Sequence, residues 1–532
     1  MTETIAQRGP RTANSRHLAP RTEMTLDWHQ ATRALMVILI ISWCARLALA
    51  AKGGQYFFPD EQRFNRSLEL VGIIASGDVS RAISYLVARA DHTGWILVGL
   101  APALPIALLS HITGRSPEQF AYLAAMFLSL ASVACIALTF GVARRLGASP
   151  VESLAAAALV AFAASFFYWS RHLIPYDVSM AFALASLWVG LATGGTGRSF
   201  AAGLLAGICF AVYNGYWTLA VVACAVQCLV GVRTLKRLAT RATIRALGLA
   251  LPTVALVIAA RLAGQDDSFA KMREFAASVK QGDWAEGFTL PLEYLWRADR
   301  LLALGWMLAI VVTFAWLVRA TPPENGIRLR LQAIYRRRLG SDPMPRALLL
   351  LACVAAVYAC LAGGASIARV FVVYGRLARQ LVPFLCLLTA CVGTSAYERH
   401  RDHRRTIISV AAVAAALQLI LAFAPPFRQM FPRELEASIF EYRPLDYALT
   451  VQGPPPRTGN PGARFVLVNA DYLYPPRGHL PLPAGTTVLS FPHPLQYVPY
   501  QFEGFRAYER RILAESDISL RLIDRGAAAP SR

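Results

Sequence analysis

WILVGLAPALPIALLS, running from Trp95 to Ser110, is an apolar stretch on the short side for a membrane crossing, and it carries Pro102 and Pro105. A crossing helix takes about 20 apolar residues. Whether this stretch crosses decides the sidedness of everything that follows it. Apolar stretches of fuller length run near residues 34–51, 119–143, 151–169, 178–193, 199–215, 217–232, 245–262, 301–318, 347–364, 380–396 and 406–424. If Trp95–Ser110 stays on one side, the amino-terminal arginines, Arg144-Arg145, the Arg233/Lys236/Arg237/Arg241 cluster, Arg328 to Arg338 and Arg399 to Arg405 all share a face. The positive-inside rule makes that face the cytoplasm. A crossing would instead send every basic loop after residue 119 outward while the basic tail stayed inside. Trp95–Ser110 therefore reads as a juxtamembrane or re-entrant helix pair, shielded by protein. The fold class that follows is an all-α polytopic membrane bundle of about eleven transmembrane helices, with juxtamembrane helices in the first outer loop.

The composition agrees. The chain has 532 residues, 56% of them hydrophobic and 16% charged, with a mean hydropathy of +0.43, which excludes an ordinary soluble enzyme. The net charge of +21 sits in short clusters between apolar runs, the pattern of membrane topogenesis and not of a nucleic-acid-binding face. The nine cysteines lie inside apolar segments, where a thiol behaves as a small hydrophobe. No disulfide framework or zinc site is implied.

Three organisational units follow. Residues 1–33, rich in Arg, Ser, Thr and Pro, read as a disordered cytoplasmic tail. Residues 34–424 form the membrane bundle. Residues 425–532 read as a small α/β domain on the outer face, with a helical stretch around Arg433 to Leu449 and strand-like runs at Phe465 to Val468, Thr487 to Phe491 and Leu520 to Ile523. On this topology the outer side also receives residues 52–118 and 263–300, so function is sought there. The implied location is a bacterial inner membrane, with the carboxy-terminal domain in the periplasm.

Polar residues gather at the outer boundary. Tyr56-Phe57-Phe58-Pro59-Asp60-Glu61 follows the first span. Its two carboxylates suit either a helix cap after Pro59 or a general base held near the headgroups. Arg171-His172-Leu173-Ile174-Pro175-Tyr176-Asp177 lies between the third and fourth spans. Ionisable groups at membrane depth point to function, although a snorkelling Arg171 and a capping Asp177 explain them equally. In Tyr374-Gly375-Arg376-Leu377-Ala378-Arg379-Gln380, the two arginines share a helix face and suit clamping a lipid-linked phosphate, or simple snorkelling. Arg369 is a weaker addition. Asn214-Gly215-Tyr216-Trp217 makes a short outer turn between the fifth and sixth spans, beside the Asp177 turn in any compact bundle.

The order and sidedness of these motifs resemble the GT-C superfamily of membrane glycosyltransferases, over roughly residues 34 to 425. The nearest branch holds protein O-mannosyltransferases, the lipid A aminoarabinose transferase and lipopolysaccharide-core transferases. The resemblance implies an inverting transfer of a sugar from a polyprenyl-phosphate carrier to a hydroxyl on a lipid, polysaccharide or protein acceptor. By it, Asp60 with Glu61 beside it matches the first-loop catalytic acid, Asp177 the second-loop acid, and Arg376 or Arg379 the cation that binds the carrier phosphate. Arg171, His172, Tyr176 and Tyr216 would contact substrate. Relatives carry a Pro-Pro-Leu-like motif before the juxtamembrane helix. This chain reads Asp91-His92-Thr93-Gly94-Trp95 there, which offers His92 to acceptor or phosphate. Asp60, Glu61 and Asp177 are oxygen donors suited to Mg or Mn, but no metal is assigned. Two other classes stay open, a secondary transporter and a non-catalytic envelope-assembly protein. Transporters concentrate ionisable groups near the midplane in repeated halves, and an anchor needs far fewer spans.

Overall fold

The computed structural model describes residues 26–51, 55, 63–89, 93–192, 195–230, 234–281, 288–319, 343–368, 370, 373 and 375–424, together with five short strands beyond residue 438. The amino-terminal tail up to residue 25 lies outside the described residues, as do Asp60, Glu61, His92, Arg369 and Tyr374.

The first helix, α1 (Trp28–Ala50), starts earlier than the apolar pattern predicts. Asp27 closes a capping box with Gln30, accepting from the Gln30 N–H at 2.7 Å while the Gln30 side chain accepts from the Asp27 N–H at 3.1 Å. Two orphan donors are thereby satisfied, and the helix gains its first turn from polar residues that hydropathy overlooks.

Two short helices follow, α2 (Asn65–Ala75) and α3 (Val79–Val87), and then α4 (Thr93–Thr113). The sequence predicts a helix pair over Trp95–Ser110; instead, α4 is one continuous helix with Pro102 and Pro105 inside it. Each proline removes one N–H, yet the remaining ladder carries through in an apolar setting where an open backbone is costly. By length and composition α4 is one of eight helices among the described residues able to cross a membrane.

Its neighbours fix the route of the chain. In α5 (Ala121–Arg145), Phe140 meets Trp28 edge-on at 6.1 Å and the Arg144 guanidinium sits 4.8 Å from the Trp28 ring. At the far end of α1, Arg46 Nε donates to Ser132 Oγ at 3.0 Å. The two helices are therefore antiparallel, and the chain enters α5 at the end of the bundle where it left α1. Residues 51–120 begin and end at that same end.

The helices that follow are α6 (Pro150–Ala161), α7 (Ala164–Trp169), α8 (Tyr176–Gly190), α9 (Thr196–Val212), α10 (Trp217–Leu229), α11 (Leu235–Leu262), α12 (Ser268–Gln281), α13 (Leu290–Asp299), α14 (Leu301–Arg319) and α15 (Pro343–Ser366). A helical turn (Gly375–Ala378) and a 3-10 turn (Arg379–Leu381) lead into α16 (Val382–Arg399), and α17 (Arg404–Gln418) closes the set with a π-turn (Leu419–Phe423). Seven of the eight crossing-length helices fall on stretches read as spans. The other four stretches fold as shorter apolar helices, α6, α8, α9 and α10 with its entry turn. The run 151–169 breaks at Phe162-Ala163 into α6 and α7.

Burial ranks these elements. The segment Gly375–Arg399 has 83% of its apolar window inside the protein, against 11% for α11 and for Arg404–Phe423. The central helix is thus α16, flanked by α6 and α15, while α11 packs on the outside against α9. That last contact is close, since a Cβ on Gly203 would lie 2.2 Å from the Arg245 carbonyl oxygen. Small residues let membrane helices approach in this way.

Beyond residue 438, β1 (Ile439–Tyr442), β2 (Ala448–Gln452), β3 (Phe465–Val468), β4 (Thr487–Ser490) and β5 (Leu520–Leu522) pair in the order β1-β2-β3-β4-β5, antiparallel for the first two pairings and parallel for the last two. Strands β1 and β2 occupy part of the stretch read as helical. Their Ile, Phe, Tyr, Thr and Val residues favour a pleated backbone over a helix.

Candidate active site

At the end of the bundle where α1 terminates, the short turns before α8, before α10 and before α16 converge. Asp177 stands in the first turn of α8, where the helix dipole favours a carboxylate. Its side chain forms an ion pair and hydrogen bond with Arg379, from a turn 202 residues away. Both are buried, Arg379 completely and Asp177 at 6% exposure, so water screens the pair little. The Cys135 thiol of α5 donates to the Asp177 carbonyl at 3.4 Å.

Aromatic rings wall this pair. Tyr176 lies 4.5 Å from Tyr213, 5.7 Å from Trp169 and 6.3 Å from each of Trp95 and Tyr216, measured between ring centroids. The Arg376 guanidinium sits 5.4 Å from the Tyr176 centroid and that of Arg379 4.7 Å from the Phe166 centroid, both within cation–π range. His172 packs between Tyr168 and Trp169. The Arg171 carbonyl accepts from Gln55 Nε2 at 3.1 Å, and the same amide nitrogen reaches the Ala50 carbonyl, which ties the exit of α1 to this turn. Of the residues singled out in the sequence, Arg171, His172, Tyr176, Asp177, Tyr216, Arg376 and Arg379 thus come together, all buried.

Tyr216 has a backbone role. Its hydroxyl donates to the Arg376 carbonyl at 3.1 Å, so it holds the arginine-bearing turn. Gln380 supports the same geometry from the other direction. Its Oε1 accepts from the Thr218 hydroxyl at 2.5 Å and the Leu219 N–H at 3.1 Å, while its Nε2 donates to the Gly215 carbonyl at 3.1 Å.

Helix α13 (Leu290–Asp299) clamps the site. The Trp169 indole N–H donates to the Tyr294 hydroxyl at 3.1 Å. The Tyr294 ring lies so close to Gly375 that a Cβ there would fall 2.2 Å from it, so only glycine fits. At the far end of the same helix, Asp299 accepts the Ser165 N–H at 3.1 Å through Oδ1, supplying from α13 the cap that α7 lacks locally. Burial pushes the Asp299 carboxyl up to about 6.

Four contributors escape a reading by motif: Arg46, Tyr294, Asp299 and Gln380. Arg46 did carry a signal, as a lone charge within the apolar run of α1. It is 1% exposed; Nε meets Ser132, Nη1 donates to the Ser42 carbonyl at 3.0 Å, and the guanidinium lies 5.6 Å from the Phe167 centroid. Among the described residues, no group of three or more His, Cys, Asp or Glu side chains is arranged to hold a metal. Such an arrangement would have to include residues outside them, Asp60 and Glu61 among the candidates.

No protein-family model matches the chain, and no curated protein matches it. A solved structure, the archaeal oligosaccharyltransferase AglB from Archaeoglobus fulgidus in complex with an inhibitory peptide and a dolichol-phosphate, aligns with a TM-score of 0.44 at 10% identity. The alignment covers 74% of this chain and 55% of that one, so this chain spans about half the length of that neighbour. A likeness at this level assigns neither family nor activity.

Proposed function

We propose that this chain is a membrane glycosyltransferase that moves a sugar from a polyprenyl-phosphate carrier to a hydroxyl acceptor, with inversion at the anomeric carbon. The observation that carries the reading is the buried Asp177–Arg379 pair, set with Arg171, His172 and Arg376 at one end of an apolar bundle. Buried ionisable groups are costly within a membrane protein and are retained where chemistry or binding uses them. Fixed guanidinium groups suit a reaction whose leaving group is a phosphate, because they stabilise charge as it develops without reorganising.

In this reading Asp60, or Glu61 beside it, takes the proton of the acceptor hydroxyl as its oxygen attacks the anomeric carbon. The bond from that carbon to the phosphate oxygen breaks, and the polyprenyl phosphate departs with the electron pair. The substrates meet on the periplasmic side of a bacterial inner membrane, with the amino terminus in the cytoplasm and residues 425–532 as an outer domain. The acceptor is a lipid, polysaccharide or protein hydroxyl, and Mg or Mn is left unassigned.

The test is transfer of radiolabel from polyprenyl-phosphate sugars to a membrane extract by the purified protein, alongside Asp60→Asn and Arg376→Ala. Label should reach the acceptor with the native chain and fall at least about 100-fold with Asp60→Asn, the scale of a lost general base. Transfer by that variant at the native rate removes Asp60 from the mechanism. Absence of transfer from every donor removes the transferase reading.

A further inference from the structure

The four helices α8 to α11 carry charge of one sign only. Residues 178–265 contain no Asp or Glu. At the end where α8 finishes and α11 starts, opposite the candidate site, they hold Arg198, Lys236, Arg237, Arg241 and Arg245. Arg237, Arg241 and Arg245 repeat at i, i+4 and i+8, so three like charges stack along one face of α11 and neighbours repel. Lys236 and Arg237 also stand in its first turn, against the helix dipole. Helix α9 adds to the group, because it runs parallel to α11 at contact distance. A Cβ on Gly203 would lie 2.2 Å from the Arg245 carbonyl oxygen, and one on Gly207 2.5 Å from that of Leu249. The same register carried back to the helix starts sets Arg198 level with Thr240, between Arg237 and Arg241.

Positive-inside bias accounts for basic residues in a loop, yet this row runs on into the protein. Arg237 is exposed, Arg241 half-buried and Arg245 buried at 2% exposure. Arg245 Nη1 donates to Cys228 Sγ at 3.4 Å and Nη2 to the Gly190 carbonyl at 3.2 Å, and its Nε is buried without an acceptor. Among the described residues Arg245 meets no carboxylate. A cation buried in this way is costly to hold. Further along the same helix the surface turns apolar. Only 11% of the α11 apolar window is buried, and Leu247, Leu251, Val254 and Ile258 form an exposed stripe at helical spacing. Lys236 stands on the face of that stripe, about five turns before Val254.

We propose that Arg198, Lys236, Arg237 and Arg241 bind the phosphate of an anionic phospholipid whose chains lie along the exposed stripe of α11, with Arg245 as the buried charge beneath the headgroup. One phosphodiester anion offsets the repulsion along the row, and its oxygens take guanidinium N–H groups from α9 and α11 together. The apolar stripe beside the cations is what favours a lipid over a free anion. The proposal is independent of the glycosyltransferase reading.

The test is thermal shift of the full chain in detergent, titrated with phosphatidylglycerol, phosphatidylcholine or inorganic phosphate. The native chain is compared with the pair Arg237→Gln/Arg241→Gln and with a control pair of equal charge change at the same end, Arg404→Gln/Arg405→Gln. Phosphatidylglycerol should stabilise the native chain more than phosphatidylcholine does. The first pair should need at least about tenfold more phosphatidylglycerol for the same shift, and the control pair should stay within about twofold of native. Without lipid, the first pair should melt no lower than native, because it removes repulsion. Arg198→Gln, exposed on α9, should weaken the response in the same direction and serves if the pair does not fold. Equal weakening in both pairs overturns the site in favour of bulk surface charge, and equal responses to the two lipids overturn it outright. A response to inorganic phosphate as strong as that to phosphatidylglycerol overturns the lipid assignment.

Discussion

The two ends of the bundle each bury an ion pair, and they are built differently. At the end opposite the candidate site, Arg346 of α15 meets Glu152 of α6 through two bonds, Nε to Oε1 at 3.2 Å and Nη2 to Oε2 at 2.7 Å, while Nη1 donates to the Gly147 carbonyl at 3.2 Å. Both carboxylate oxygens are taken up, in parallel fork geometry. At the site end Asp177 bonds one nitrogen of Arg379, and Arg379 Nε and Nη1 stay buried without an acceptor. A closed pair joins helices; a pair with buried donors to spare is suited to receive an acceptor.

The largest expected effects break the two pairs in the same way. Glu152→Gln and Asp177→Asn each leave a buried arginine without its carboxylate, which costs about 3–5 kcal/mol and should appear as lowered melting temperatures in detergent. The comparison is sharpened by sugar transfer. Transfer per folded molecule should fall about 100-fold in Asp177→Asn and stay close to native in Glu152→Gln; an equal loss in both, or in neither, would erase the distinction between the ends.

Next in size is Asp299, whose carboxyl titrates at about 6 in the fold because of burial, against about 4 in an unfolded chain. Between those values the folded state holds the extra proton, so stability falls as pH rises from about 4 to about 6 and is level above that. The whole change is on the order of 3 kcal/mol. Asp299→Asn should flatten the profile and raise the melting temperature at pH 7.5. A pH profile identical to native would show that this carboxyl does not titrate in that window.

The smallest effect is expected at Gly375. Gly375→Ala forces a methyl group against the Tyr294 ring and should cost about 1–3 kcal/mol as overpacking. Since α13 must shift away from the turn that carries Arg376 and Arg379, sugar transfer should fall further than stability alone explains. A loss of melting temperature without loss of transfer would reduce α13 to packing.

Much of the bundle was legible beforehand because apolar length reports on membrane crossing directly. The stretches near 119–143, 301–318 and 347–364 fold as the crossing-length helices α5, α14 and α15. Boundaries were less legible. The capping box at Asp27 extends α1 into a segment that composition marks as tail, and α4 runs through Pro102 and Pro105, which sequence rules treat as breakers. Within the site, Arg171, His172, Asp177, Arg376 and Arg379 stood out because charged residues at the edge of apolar runs are rare. Gln380 and Tyr294 did not. Gln380 holds a turn some 160 residues away, and no local spacing encodes such a partner.

By itself, then, the sequence determined that this is a multi-helix membrane protein and which ionisable residues lie at its helix ends, since both follow from transfer free energies summed along the chain. Only the tertiary structure decided that Asp177 meets Arg379, that Tyr216 holds the arginine-bearing turn, and that Asp299 caps α7 from α13. Those outcomes depend on which helices pack side by side, a property of the whole bundle and not of any one segment.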